Sequence, residues 1–178
     1  MKRWICALAG VIGLGGCGTT IEAYRDTTPR LVLEDYFNGT LDAWGMFQDR
    51  SGKVIKRFHV LIEARWQGAV GRLDERFTYD DGSTQRRVWT LTARGDGHYT
   101  GLADDVVGQA QGQARGNALR WRYVMALPVN GKTYHVDFDD WMYLMGDGVL
   151  LNRSVMSKFG VRLGEVTLSF RKREGRAP

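Results

Sequence analysis

The stretch from Ala118 to Arg153 constrains the fold more than any other part of the chain. It alternates apolar and polar residues and is broken by two turn signals, Asn130-Gly131 and Asp147-Gly148. Both dipeptides favour two-residue type I′ turns, whose central positions need φ > 0. With Asn130-Gly131 in such a turn, Val129 faces Lys132, Leu127 faces Tyr134, Met125 faces Val136, Tyr123 faces Phe138 and Arg122 faces Asp139. Apolar residues meet apolar ones, and an arginine meets a carboxylate. A slip of one residue would move every side chain to the other face, so the match is informative. The same construction at Asp147-Gly148 sets Met145 opposite Leu150 and Tyr143 opposite Asn152. Three consecutive antiparallel strands follow.

The rest of the chain repeats the pattern. From Lys53 to Trp66, Val54, Phe58, Val60, Ile62, Ala64 and Trp66 share one face, interrupted only by Lys56. Leu73, Phe77 and Tyr79 line the apolar face of the next strand. Asp80-Asp81-Gly82-Ser83 closes a hairpin whose return strand runs from Arg86 to Ala93. Keeping the apolar faces together sets Phe77 opposite Arg87, Glu75 opposite Trp89 and Leu73 opposite Leu91. Glu75 and Arg87 then lie diagonally on one mainly apolar face. Buried charges of that kind must pair, either as a structural ion pair or as the polar anchor of a cavity. Gly108, Ala110, Gly112 and Ala114 make a smooth stripe opposite three glutamines, leaving space for a large neighbour such as a tryptophan, or for a ligand. Leu31 to Phe37 fits a short strand or one helical turn equally well.

Roughly nine or ten strands, with turn signals every 8–14 residues and no amphipathic helix, predict an all-β fold. An antiparallel meander closing into a lipocalin-like barrel removes edge strands and suits the order; the alternative is a two-sheet β-sandwich. The domain is expected over residues 31–172, with a polar tail at 173–178.

The N-terminus reads as an address. Met1-Lys2-Arg3, an apolar run from Trp4 to Leu14 and Gly15-Gly16-Cys17 describe a secretory signal at residues 1–16, too short to span a bilayer of roughly 30 Å. Leu14-Gly15-Gly16-Cys17 resembles the lipobox of bacterial lipoproteins, whose cysteine carries palmitate and becomes the first residue. The resemblance implies a lipidated Cys17, a tether over residues 17–30, and a chain held in the cell envelope facing the periplasm. Gly18 in place of aspartate implies transfer to the outer membrane. The only other cysteine, Cys6, lies within the signal, so the mature chain has no disulfide. Losing Lys2 and Arg3 lowers the formal charge of +5 by two, and the remaining basic residues are interspersed with acids; this is no nucleic-acid protein.

Catalytic signatures are missing from the sequence. His59, His98 and His135 fall on different strands without metal-ligand spacing, no cofactor fingerprint occurs, and no Gly-x-Ser-x-Gly elbow or P-loop is present. Asp137 and Asp139 point one way and Asp140 the other; Arg122 opposite Asp139 gives a cross-strand pair. The aromatics are more telling. Trp44, Trp66, Trp89, Trp121 and Trp141 remain after processing and either fill the interior or line an apolar cavity. A cavity with a few placed polar groups is the usual form of a small-ligand site. The candidate ligand-binding residues are Glu75, Arg87, Trp89, Trp121, Tyr123, Trp141 and Arg153.

Together, the lipobox, Tyr36-Phe37-Asn38-Gly39, Trp44-Gly45-Met46-Phe47, Arg86-Arg87-Val88-Trp89, Asp139-Asp140-Trp141-Met142 and Asn152-Arg153-Ser154 resemble the domain-of-unknown-function 3833 family of proteobacterial lipoproteins. The resemblance spans nearly the whole mature chain and implies an envelope lipoprotein without supplying a catalytic residue. The expected function is a lipid-anchored barrel that binds a lipid or other apolar ligand in the periplasm. A structural or assembly factor binding a protein partner is the alternative, and an enzyme acting on a lipid-like substrate, with Glu75 as base, comes third.

Overall fold

The computed structural model describes residues 18–173; the signal sequence, Cys17 and all of the polar tail beyond Arg173 lie outside the described residues. Ten antiparallel strands follow one another around a closed barrel. They are β1 (Gly39–Asp49), β2 (Val54–Gln67), β3 (Val70–Tyr79), β4 (Thr84–Gly95), β5 (His98–Leu102), β6 (Val106–Arg115), β7 (Ala118–Val129), β8 (Lys132–Leu144), β9 (Leu150–Lys158) and β10 (Val161–Lys172). The last strand closes on the first, from Leu41 opposite Lys172 to Asp49 opposite Gly164, so the fold is the barrel rather than the sandwich. The outer wall carries Arg57, Glu63, Arg72, Arg76, Arg86 and Asp139, the reverse of the apolar band that a lipid-spanning barrel presents.

The β7–β8 hairpin has the register its sequence demands, from Val129 opposite Lys132 to Arg122 opposite Asp139. Asn130 (φ 50°) and Gly131 (φ 75°) form the type I′ turn. The ion pair differs: Asp139 binds Arg120 at 2.6 Å, because a diagonal side chain reaches it and the guanidinium also lies over Trp141.

Two other hairpins correct the expected register, each around a three-residue loop. At Asp147-Gly148 only Gly148 has positive φ (79°), and the ladder closes between Met145 and Val149 around a three-residue loop. Leu144 therefore faces Leu150 and Met142 faces Asn152. At Asp80-Asp81-Gly82 the closing pair is Tyr79 and Ser83, again with only the glycine left-handed (Gly82, φ 80°). Glu75 consequently sits directly opposite Arg87, and Leu73 opposite Trp89. At Asp147-Gly148 the three-residue loop is one residue longer than type I′ and the pairing shifts by one; at residues 80–82 it is two residues shorter than the pairing of Phe77 with Arg87 requires, and the pairing shifts by two.

One end of the barrel is plugged. A single helical turn, α1 (Leu33–Tyr36), resolves the ambiguity over residues 31–37, and Leu31, Leu33, Tyr36 and Phe37 are buried beneath the strand ends. The Trp66 indole N–H donates to the Phe37 carbonyl (3.0 Å), the Tyr36 hydroxyl to the carbonyls of Phe170 (3.1 Å) and Gly148 (3.0 Å), and the Tyr99 hydroxyl to Glu34 (2.8 Å). The segment expected to be a tether is docked from Ile21 onward. Ile21 is buried, Tyr24 lies against Trp141 and Tyr143, and Thr27 bonds the Asn117 backbone N–H (3.0 Å). Gly116 makes this close approach possible, since a side chain there would collide with the Tyr24 carbonyl.

Candidate ligand cavity

Ten strands enclose more room than the eight whose interior side chains just fill a barrel. Toward the plug lies an inner chamber of about 130 Å³, walled by Leu33, Phe37, Ile62, Leu91 and Leu119. Toward the opposite end lies an outer chamber of about 700 Å³ that opens to solvent, walled by Met125, Leu127, Val136, Phe138, Met156 and Val166. Both chambers touch Phe58, Phe77, Arg87, Tyr123 and Asp140, so they adjoin at a polar waist.

The waist gathers three carboxyl groups around one guanidinium. Arg87 on β4 donates from Nη2 and Nε to Asp105 Oδ2 at 2.7 and 2.9 Å. Its Nη1 stands 3.9 Å from Glu75 on β3, which makes no hydrogen bond among the described residues and keeps its oxygens toward the inner chamber. Across the barrel, Asp140 on β8 accepts a short bond from the Ser154 hydroxyl of β9, with the Tyr123 hydroxyl beside it. Burial raises the carboxyls of Glu75 and Asp140 to about 7. Burial also disfavours charge on Arg87, but Glu75 and Asp105 outweigh it and hold the guanidinium protonated. Tyr123 is pushed well above its ordinary value by burial and by Asp140. Among the described residues no group of three or more His, Cys, Asp or Glu converges to hold a metal.

Exposed apolar residues rim the open end. Ile55 on the β1–β2 side, Val129 and Tyr134 at β7–β8, and Phe159, Val161 and Leu163 at β9–β10 all face water. Phe159 is 90% exposed and holds φ 52° in a two-residue turn with Gly160 (φ 76°), a conformation bulky residues seldom adopt. Lys56, Lys132, Lys158 and Arg162 are interspersed with them.

The family model described as "Protein of unknown function (DUF3833)" matches residues 11–172. The chain belongs to the DUF3833 family. No curated protein matches it. Its fold is similar to a solved structure from Nostoc punctiforme, described as a protein with unknown function from the DUF3598 family. The two share 15% identity with a TM-score of 0.54 over 80% of this chain and 49% of the other. This chain thus spans about half the length of that neighbour, and the likeness is one of fold alone.

In this DUF3833 barrel, Glu75, Arg87, Trp89, Trp121 and Tyr123 all line the cavity, as their strand faces demand. Trp141 and Arg153 do not, which corrects their assignment as ligand-binding residues. Because Asp140 points inward, its neighbour Trp141 points outward, stacked on Tyr143 under Arg120. Arg153 lies on the outer wall paired with Glu165 at 2.9 Å, between the inward-facing Asn152 and Ser154. Trp44, at 53% exposure, is likewise outside. The sequence reading missed Asp140, Ser154 and Asp105. Asp140 was legible, since it continues the inward series Val136, Phe138, Asp140, Met142. Asp105 was not, because it reaches Arg87 from the β5–β6 turn, where no alternation exists.

Proposed function

We propose that this chain is an envelope lipoprotein, anchored through a lipid on Cys17, whose barrel holds one lipid or other apolar chain-like ligand. The two adjoining chambers carry this reading: an apolar outer chamber open to solvent ends at a polar waist, beyond which lies an inner chamber with an aromatic floor. Together they fall in the size range of small-ligand sites, and their lining has the same many apolar and few convergent polar groups. A barrel built only as a spacer needs neither a void nor buried carboxyls. Native mass spectrometry of the protein purified from membranes tests the reading directly. A co-purifying apolar molecule is expected, and it should be lost on filling the outer chamber with Val136→Trp. Protein free of any such molecule, and unable to take up added lipid, would overturn the reading.

The alternative of an assembly factor finds support in one observation, the strained and exposed Phe159 within an apolar rim. If that rim grips a protein partner, Phe159→Asn should abolish partner capture while leaving ligand uptake unchanged.

A further inference from the structure

The polar waist is unusual in what it leaves unsatisfied. Among the described residues Arg87 is the only cation of the waist; its Nε and Nη2 are taken by Asp105, while Nη1 stands 3.9 Å from Glu75, beyond hydrogen-bond reach. The Ser154 hydroxyl is spent on Asp140, and Tyr123 stands against the same carboxyl. Among the described residues Arg87 Nη1 is the waist donor left without a hydrogen bond. Acceptors are in surplus: Glu75 has no hydrogen bond among the described residues and faces the inner chamber with 14% exposure. An incoming head group meets more unpaired carboxyl oxygens than unpaired donors, which are confined to Arg87 Nη1.

We propose that the waist selects ligands whose polar end donates hydrogen bonds, and specifically an apolar chain ending in a protonated amine. The same waist turns away chains ending in an ionised carboxylate or phosphate. This rests on the cavity being a ligand site and names the ligand's class. The head would sit between Glu75 and Asp140, and the chain would run back through the outer chamber along Met125, Val136, Phe138 and Met156 toward the mouth. An ammonium group supplies three donors and a positive charge where three carboxyls share one arginine. A carboxylate supplies neither; it adds like charge in a desolvated site and leaves Glu75 without a donor.

The experiment compares decylamine, 1-decanol and decanoate, matched in chain length, by native mass spectrometry and tryptophan fluorescence on the full processed protein in a non-ionic detergent. Partition into detergent is common to wild type and variants, so the change between proteins isolates the waist. The wild type should bind decylamine more tightly than decanoate by about tenfold or more, and Glu75→Gln should erase about tenfold of that preference. Asp140→Asn provides a second variant should the first fail to fold, with the same loss expected. Preference for decanoate in the wild type, or an amine preference untouched by both variants, overturns the proposal. Equal binding of all three overturns the head-group selection and leaves the cavity reading standing; binding of none overturns both.

Discussion

The indole of Trp121 occupies the space that a side chain at Gly112 would need, and it covers Gly101 as well. The smooth stripe of β6 is thus filled at Gly112 by a tryptophan from the adjacent strand, whereas Gly108 (φ 70°) lies exposed in a bulge and does not belong to the inner face. Gly112→Ala should cost about 1–3 kcal/mol through overpacking. Trp121→Ala should cost about 3–5 kcal/mol and open the inner chamber. In the double variant Gly112→Ala/Trp121→Leu the smaller side chain should relieve the clash, giving a coupling of at least about 0.5 kcal/mol. Urea midpoints at constant slope read all three.

Glu75 should govern the alkaline side of stability. Its carboxyl is raised to about 7 by burial, so between about pH 4 and 7 the folded chain holds a proton that the unfolded chain has released. Stability therefore falls as pH rises through that window and levels off above it. Glu75→Gln removes the share of this slope due to Glu75 and leaves that of Asp140, whose carboxyl burial also raises to about 7. The variant should match wild type at pH 4 and exceed it at pH 8 by about 1–3 kcal/mol, measured by denaturant unfolding.

Asp74 has the opposite sign. On the outer wall it accepts from Arg86 at 2.6 and 2.7 Å and from Arg72 at 3.2 Å, and these bonds lower its carboxyl to about 2. Its contribution is complete above the ordinary carboxylate value and disappears as pH falls toward 2. Asp74→Asn should flatten the acid limb of the stability profile between about pH 4 and 2 and lower stability at neutral pH. Circular dichroism melts across that range check both.

The β9–β10 turn offers a gain of stability. Phe159 and Gly160 occupy the same left-handed pair of positions as Asn130 and Gly131. Asparagine accepts that conformation readily and phenylalanine does not. Phe159→Asn should raise stability by about 0.5–1 kcal/mol, a shift of about 2–5 °C in thermal midpoint by calorimetry.

Much of this was legible in the sequence, and the parts that were not share a cause. Alternation placed Glu75, Arg87, Trp89, Trp121 and Tyr123 on one face, and closing the meander made that face the interior. Their partners depended on turn geometry. Asp147-Gly148 and Asp81-Gly82 look like the dipeptides of two-residue turns, yet each glycine is the left-handed residue of a three-residue loop. Parity survived at Glu75 because its strand shifted by two; Tyr143 exchanged Asn152 for Leu151 because its strand shifted by one. Trp141 and Arg153 were misplaced for a simpler reason. Their aromatic and charged chemistry suits a binding site, but strand parity sends both outward. Asp105 and the helical turn α1 belong to connections, where neither periodicity nor dipeptide chemistry fixes where a side chain goes.

The docking of Ile21, Tyr24 and Thr27 near the plugged end also sets an orientation. If a lipid on Cys17 anchors the chain, as proposed, it holds the barrel by the foot. A barrel fixed in this way stands like a cup on its base, its mouth turned away from the surface that carries it. Cargo would then arrive from the far side, across the aqueous gap, and an exchange partner would have to meet the cup from above.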